Sequence, residues 1–309
     1  MKGKFKMKFI HNVLVAALLL TGSSIVFAQE APTADAKAPA AIETKDVPVA
    51  AECGCECAAF KPEFNLTIDA ATDYACDGFI INPDPVTSID FSMAIKNFYV
   101  GVWGQYDWTN YQDESMGYDN SRKNNFEEID YYAGYFYTIP DGAGFTDLTI
   151  DAGFAYFDYP TVSHDNWGND HNEEWALKFQ LGNMLDSEIQ TLTAAAELDY
   201  DTECDYGYGQ FDLNYSRELC EKTTLQVGTS LFWGTPRKMQ AQADDNDLGW
   251  GIRSIVCEIG VDYAVSEDMT ITPYIGASYL PQDNVRQYTR SNDDVDSNTW
   301  GGLKASYNF

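Results

Sequence analysis

The feature of this sequence that most constrains its fold is a two-residue alternation that continues to its last residue. In residues 303–309 every second residue is apolar, and the residues between them are small or polar. A period of two is typical of a strand whose two faces meet different surroundings. Because the apolar face includes the aromatic residue Phe309, we expect it to contact lipid while the opposite face lines a polar lumen.

The same alternation recurs in eleven earlier segments, the first of which covers residues 64–77. In that segment the pattern places Tyr74 and Cys76 on the lipid-facing side, and in the tenth segment it places Cys257 there. Each segment is close to the ~9–11 residues that a tilted strand needs to cross a bilayer. We therefore predict an all-β fold, an up-and-down antiparallel transmembrane β-barrel of about 12 strands, formed by residues 63–309.

The lengths of the connections support this layout. Connections after the even-numbered segments are short: 96–97, 140–144, 183–189, 220–222 and 266–269. Connections after the odd-numbered segments are mostly longer and polar: 78–85, 109–125, 160–172, 234–248 and 281–297, with 201–205 as the exception. This alternation is typical of outer-membrane barrels with both termini in the periplasm, whereas a secreted β-sandwich is not expected to keep it.

The first part of the chain predicts export. Residues 1–28 combine four lysines, an apolar run at 13–20 and the sequence Val26-Phe27-Ala28 before Gln29, which is typical of a cleaved signal peptide. Because residues 1–28 contain four lysines and no acidic residue, their removal lowers the formal net charge from −29 to −33. Nucleic acid is an unsuitable partner for such a polyanion, and cations are attracted to it.

A segment rich in alanine and proline follows the signal peptide. Residues 29–62 have few large apolar side chains and are predicted to be a disordered periplasmic segment. Near its end stand Cys53, Cys55 and Cys57, whose thiols are weak candidates for a soft metal ion. In an oxidising compartment the alternative is disulfide chemistry, within the segment or between chains.

Acidic residues dominate the face opposite the lipid. We expect the following residues to line a pore: Asp69, Asp73, Asp77, Asp90, Asp107, Glu128, Asp130, Asp147, Asp151, Glu197, Asp199, Asp212, Glu258, Asp262, Lys178 and Lys304. Carboxylates around a narrow aqueous path favour cations, because low-dielectric walls concentrate the field. The sequence therefore predicts a porin for small hydrophilic solutes, preferentially cationic ones or divalent ions. The alternative is a non-conducting structural or surface-interaction barrel filled with polar networks.

An enzyme is the competing class of protein. After the signal peptide the only histidines are His164 and His171, and both belong to a loop that also contains Ser163, Asp165 and Asp170. Neighbouring residues of an irregular loop are rarely held in a catalytic arrangement. We predict that the protein is not an enzyme and needs no cofactor, with the two histidines as weak candidates for a metal site.

Several motifs resemble the TorF family of porins. The likeness rests on the following residues: Asp73, Tyr74, Gly78, 98–104, 130–135, 151–160, Glu174, 300–303 and Phe309. The family usually carries arginine before the glycine that ends the first strand, and here Asp77 stands in that place. The resemblance implies an outer-membrane barrel that acts as a porin, and it supplies no catalytic residue.

A second resemblance concerns the end of the sequence. A final phenylalanine with an aromatic residue two positions earlier, here Phe309 and Tyr307, resembles the closing strand of bacterial outer-membrane barrels. The resemblance implies that these two residues form an assembly signal read by the barrel insertion machinery. Outer-membrane lipid and that machinery are therefore the expected macromolecular partners.

Overall fold

The computed structural model describes residues 61–108, 126–142, 144, 146–160, 171–185, 187–203, 205–235, 250–281 and 297–309. These residues form fourteen strands: β1 (Glu63–Ala71), β2 (Tyr74–Cys76), β3 (Phe79–Asn82), β4 (Val86–Ile95), β5 (Phe98–Asp107), β6 (Phe126–Ile139), β7 (Leu148–Asp158), β8 (His171–Leu181), β9 (Gln190–Asp201), β10 (Tyr206–Cys220), β11 (Thr223–Gly234), β12 (Gly251–Ala264), β13 (Met269–Tyr279) and β14 (Ser297–Asn308). In this part of the chain no helix is long and apolar enough to cross a membrane.

Twelve of these strands close into one antiparallel barrel. Strands β4 to β14 pair in chain order, and β1 pairs with both β4 and β14, so the sheet has no free edge. The predicted fold class is confirmed. The connections β4–β5, β6–β7, β8–β9, β10–β11 and β12–β13 lie at one end of the barrel, and the other connections lie at the opposite end, which we call the long-loop end.

The outer face of the barrel is apolar. Along β6 the alternating residues Tyr131, Tyr135 and Tyr137 are exposed, and on later strands Ile275 is 60% exposed and Leu303 is 50% exposed. Apolar side chains on the outside of a closed barrel, with polar ones inside, match a surrounding of lipid. The protein is therefore a β-barrel of the outer membrane, as predicted.

An aromatic cluster covers the seam where the chain closes on itself. The backbone N–H of Phe64 donates to the carbonyl of Phe309, and the N–H of Phe309 donates to the carbonyl of Phe64, both at 3.0 Å. The ring of Phe309 stacks on Phe64 with centroids 5.5 Å apart, and Phe91 and Tyr307 lie beside it. These contacts give Tyr307 and Phe309 a structural role, whereas their use as an assembly signal stays a prediction.

The first segment differs from its prediction. Strand β1 ends at Ala71, six residues earlier than expected, and residues 74–82 form a separate two-stranded hairpin, which we call the luminal hairpin. Its turn consists of Asp77 and Gly78, with φ of 50° and 83°, and two successive positive φ angles are the signature of a type I′ turn. The alternation of the segment is real, but its second half belongs to this hairpin because an Asp-Gly turn reverses the chain.

The prediction that Tyr74 and Cys76 face lipid is therefore wrong. Both residues line the interior of the barrel. Asp73 and Asp77, predicted to line the pore from the first spanning strand, lie instead in the connection between β1 and β4. In contrast, Cys257 lies on β12 in register with Ala277, beside the exposed Ile259 of the outer face.

Candidate pore lumen

The tip of the luminal hairpin is bound to the strands at the carboxyl-terminal end of the chain. The carbonyl of Asp77 accepts a hydrogen bond from the hydroxyl of Ser254 on β12. The carbonyl of Gly78 accepts from Ser278 on β13 and, at 3.0 Å, from the amide of Asn298 on β14. A Cβ at Gly78 would lie 2.8 Å from Val256 Cγ2, so the close approach requires glycine.

An ion pair made by a buried arginine strengthens this attachment. The guanidinium of Arg253, whose side chain is 1% exposed, lies 2.9 Å from a carboxylate oxygen of Asp77. The same guanidinium lies over the rings of Phe79 and Tyr208, at 5.7 and 5.4 Å from their centroids. A cation held between a carboxylate and two aromatic faces is stabilised by both kinds of contact.

Apolar packing holds the remainder of the hairpin. Phe79 is buried, and Ala75 and Ile80 pack against a cluster formed by Phe232, Val256 and Trp300. This apolar patch lies inside the lumen. The hairpin is therefore a packed element of the barrel interior.

The base of the hairpin contacts the opposite wall. The phenol of Tyr74 donates to Glu128 on β6 at 2.6 Å, and Asn82 donates to the carboxylate of Glu127 at 3.2 Å. Tyr74 also lies beside Trp103 of β5, with ring centroids 6.0 Å apart. The hairpin thus crosses the lumen at its long-loop end, from β5 and β6 to β12–β14, and narrows the path through the barrel.

A cavity of about 130 Å³ remains between the hairpin and the wall formed by β6–β10. Six carboxylates line it: Asp77, Glu128, Glu174, Glu197, Asp199 and Asp201. Four tyrosines share the lining: Tyr74, Tyr159, Tyr206 and Tyr208. None of the described residues that line the cavity is a lysine or an arginine. The space left open by the hairpin is therefore acidic and aromatic.

Two of these tyrosines serve as fixed hydrogen-bond donors. Tyr74 and Tyr159 both donate to Glu128, and both lie outside the spanning strands. Burial, reinforced by the negative charges of Glu128 and Asp130, raises the pKa of both phenols above its ordinary value. Each phenol therefore keeps its proton over the whole physiological pH range and holds the Glu128 carboxylate in place.

Deeper in the lumen the same arrangement of three residues recurs on three neighbouring strands. The ring of a tyrosine lies over a glycine of the next strand, and its hydroxyl donates to an aspartate of the strand after that. Tyr132 of β6 lies over Gly101 of β5 and donates to Asp90 of β4 at 2.7 Å. Two further sets repeat the arrangement: Tyr99 with Gly134 and Asp151, and Tyr274 with Gly302 and Asp69. Glycine leaves the room that the ring needs, and the half-buried carboxylate gains a donor.

A methyl group at Gly101 tests this arrangement. The Cβ of Gly101→Ala would lie 2.2 Å from Cζ of Tyr132, so the ring must move away and Asp90 loses its donor. We expect a loss of about 1–3 kcal/mol in the free energy of unfolding, measured by urea titration in detergent micelles. In a Tyr132→Ala background the same substitution should cost much less, and an equal cost in both backgrounds would contradict the arrangement.

Most of the residues predicted to line the pore lie on the interior face. Several are held by polar neighbours: Asp212 by Ser230 and Gln210, Asp262 by Gln226 and Thr272, Glu197 by Lys178, and Glu258 by Trp300. Lys304 lies over the ring of Tyr274, and Asp107 is buried near the long-loop end. Asp147 is exposed in the turn between β6 and β7, and Asp73 accepts from Thr72 at the end of β1.

Some cavity residues were not among the predicted pore-lining residues. Glu174 and Asp201 lie on the interior face of β8 and β9, where Glu174 accepts a hydrogen bond from Tyr208. The two-residue alternation could have predicted both positions, because Glu174 is next to the outward-facing Trp175 and Asp201 is two residues after the inward-facing Asp199. Arg253 had no such signal, because its role depends on a hairpin that comes from the other end of the sequence.

The weak metal candidates receive no support from the described residues. His171 begins β8 and stacks on Tyr156, with ring centroids 5.4 Å apart. His164, Cys53, Cys55 and Cys57 lie outside the described residues. Within those residues no group of three or more His, Cys, Asp or Glu side chains is arranged to hold a metal ion. The absence of catalysis stays a prediction.

Comparisons with solved structures find other outer-membrane barrels. A KdgM porin matches at 10% identity with a TM-score of 0.45, over 79% of this chain and 99% of its own. A NanC porin matches at 12% identity with a TM-score of 0.45, over 78% and 98%. An outer membrane channel from Pseudomonas putida F1 matches at 10% identity with a TM-score of 0.45, over 80% and 95%. No family model and no curated protein matches the chain, so the resemblance to the TorF family stays a prediction.

Proposed function

We propose that this barrel is a porin through which small hydrophilic solutes diffuse, with a preference for cations. The observation that carries the proposal is the cavity beside the luminal hairpin, where six carboxylates meet and none of the described lining residues is a lysine or an arginine. Asp77 pairs with Arg253, and Glu197 pairs with Lys178. Low-dielectric walls strengthen the attraction of such an acidic lining for cations.

The size of the opening sets the size of the solute. The space left beside the docked hairpin has a volume of about 130 Å³. Solutes that pass beside the docked hairpin must therefore be small. Acids deeper in the lumen, such as Asp90 and Asp151, extend the negative lining, although tyrosine donors engage both of them.

Planar-bilayer recording in a KCl gradient tests this proposal. We expect the reversal potential to have the sign of cation preference. The substitutions Glu174→Gln and Asp201→Asn together should lower the ratio of cation to anion permeability roughly threefold, because they remove two cavity charges. Asp268→Asn, in the exposed β12–β13 turn, is the matched control and should keep the ratio of the unmodified barrel. Anion preference of the unmodified barrel would refute the proposal.

A non-conducting barrel is the second candidate. It is favoured by the hairpin across the lumen and by the tyrosine–glycine–acid sets that fill part of the interior. A barrel of this kind would show no single-channel events at any voltage, although it is folded in the bilayer. The same recording therefore separates the two candidates.

A further inference from the structure

The two halves of the lumen differ in how far their side chains are buried. Towards the long-loop end many interior side chains are buried, among them Gln105, Asp107, Phe157, Phe232, Val256 and Ser278. Towards the opposite end, which we call the short-turn end, the interior side chains are mostly only partly buried, among them Thr67, Thr138, Thr149, Thr193, Thr224 and Ser306. Small side chains on the inner face of a closed barrel reach water only through the lumen. The short-turn half of the lumen therefore contains open space.

The side chains at the short-turn end also lie along the wall. The hydroxyl oxygens of Thr67 on β1 and Ser306 on β14 are 3.0 Å apart, and those of Thr138 on β6 and Thr149 on β7 are 2.9 Å apart. Each pair joins two neighbouring strands of the barrel. Such bonds satisfy the hydroxyls without drawing a side chain across the lumen, so the centre of this half is left to water.

At the long-loop end, in contrast, the contacts cross the lumen. Tyr74 of the luminal hairpin donates to Glu128 on β6, and the carbonyl of Gly78 accepts from Asn298 on β14. Phe79 of the hairpin is buried as well. The space that remains beside the hairpin has a volume of about 130 Å³. The narrow section of the lumen therefore lies towards one end of the barrel.

The chemical character of the wall changes along the same direction. Carboxylates and tyrosines line the cavity beside the hairpin, whereas the wall at the short-turn end carries mainly threonine and serine. The carboxylate of Asp262, which also belongs to this half, accepts hydrogen bonds from Gln226 and Thr272. Hydroxyl groups both donate and accept hydrogen bonds, so they suit hydrophilic solutes of either charge or of none.

We propose that the short-turn half of the lumen is a vestibule for hydrophilic solutes that are too large to pass the luminal hairpin. Such solutes enter from the short-turn end as far as the hairpin, whereas the long-loop end excludes them. The inference rests on the proposed porin function, and it places the size selection of the pore at the long-loop end. Access to the lumen therefore differs between the two sides of the membrane.

Polymer access in planar bilayers tests this difference on the unmodified barrel. Polyethylene glycol that enters a pore lowers its conductance, because a polymer solution conducts less well than the salt solution it replaces. A polyethylene glycol too large for the space beside the hairpin should lower the conductance by roughly one third from one side of the bilayer and leave it nearly unchanged from the other. Equal losses from both sides, or no loss from either side, would overturn the inference.

Thiol labelling of the folded barrel in detergent micelles identifies the open end. Thr193→Cys places a thiol at a partly buried interior position of β9, and Val256→Cys places one at a 1% exposed position of β12. A maleimide-linked polyethylene glycol should label the first thiol at least about tenfold faster than the second, since buried thiols are inert. Mass spectrometry of the labelled peptides distinguishes both thiols from the native cysteines. Equal labelling rates in the two folded variants would overturn the inference.

The vestibule and the porin function can fail separately. A barrel that is silent in planar bilayers would remove the porin function, and the labelling rates would still decide whether the short-turn half is open. Conductance that polymers lower equally from both sides would remove the vestibule and leave the porin function standing. Bilayer recording and labelling on the same preparation therefore give a distinct result for each proposal.

Discussion

A barrel in which residues 73–84 are replaced by a Gly-Ser-Gly linker is expected to conduct at least about threefold better than the unmodified barrel. The luminal hairpin crosses the long-loop end of the lumen, and its removal leaves the twelve barrel strands in place. A short linker suffices because Ala71 of β1 and Val86 of β4 are register partners in neighbouring strands. Single-channel conductance in symmetric KCl is the measurement.

The control places the same linker in a turn at the other end of the barrel. A Gly-Ser-Gly linker in place of residues 265–268, the β12–β13 turn, should leave conductance unchanged. If the shortened barrel folds and conducts no better than the unmodified one, the hairpin does not limit the passage of ions.

Replacement of Arg253 by methionine is expected to lower the free energy of unfolding by about 3–5 kcal/mol. The side chain is 1% exposed, and its removal leaves Asp77 without its cation and the rings of Phe79 and Tyr208 without their shared partner. The interior of the barrel near this site is already acidic, which increases the cost. Urea unfolding in detergent micelles, followed by tryptophan fluorescence, measures the loss.

A double-mutant cycle separates the ion pair from simple packing. Asp77→Asn added to Arg253→Met should restore a substantial part of the lost stability, because it removes the unpaired charge that the first substitution leaves. Arg253→Lys serves as the matched control, since it keeps the charge and loses the planar contact with both rings. If the double variant is as unstable as the sum of the two single variants, the ion pair is not the source of the effect.

The architecture of the barrel could be predicted from the sequence because it depends on a local property. Alternating residues such as those of β6 and β14 reveal two-sided strands without knowledge of their partners, and the lengths of the connections set the order of pairing. The interior position of acids such as Asp130 and Glu258 follows from the same alternation. A few neighbouring residues are therefore enough to predict both the strands and the interior position of their acids.

The luminal hairpin could not be predicted in this way. Residues 72–77 continue the alternation of β1, and the Asp-Gly turn that ends it is also compatible with a surface loop. Its inward position is determined by Arg253, Ser278 and Asn298, which are more than 170 residues away along the chain. The acidic cavity depends on this hairpin, so its position and its aromatic lining also depend on long-range contacts.

The attachment of the hairpin has a consequence for the biogenesis of the barrel. Its two stems leave from β1 and β4, whereas its tip is bound to β12, β13 and β14, which are synthesised last. The hairpin can therefore dock only after the carboxyl-terminal strands are present. Once docked, it ties both sides of the β1–β14 junction together from within, so sideways separation of these strands in the bilayer also requires the hairpin to be withdrawn.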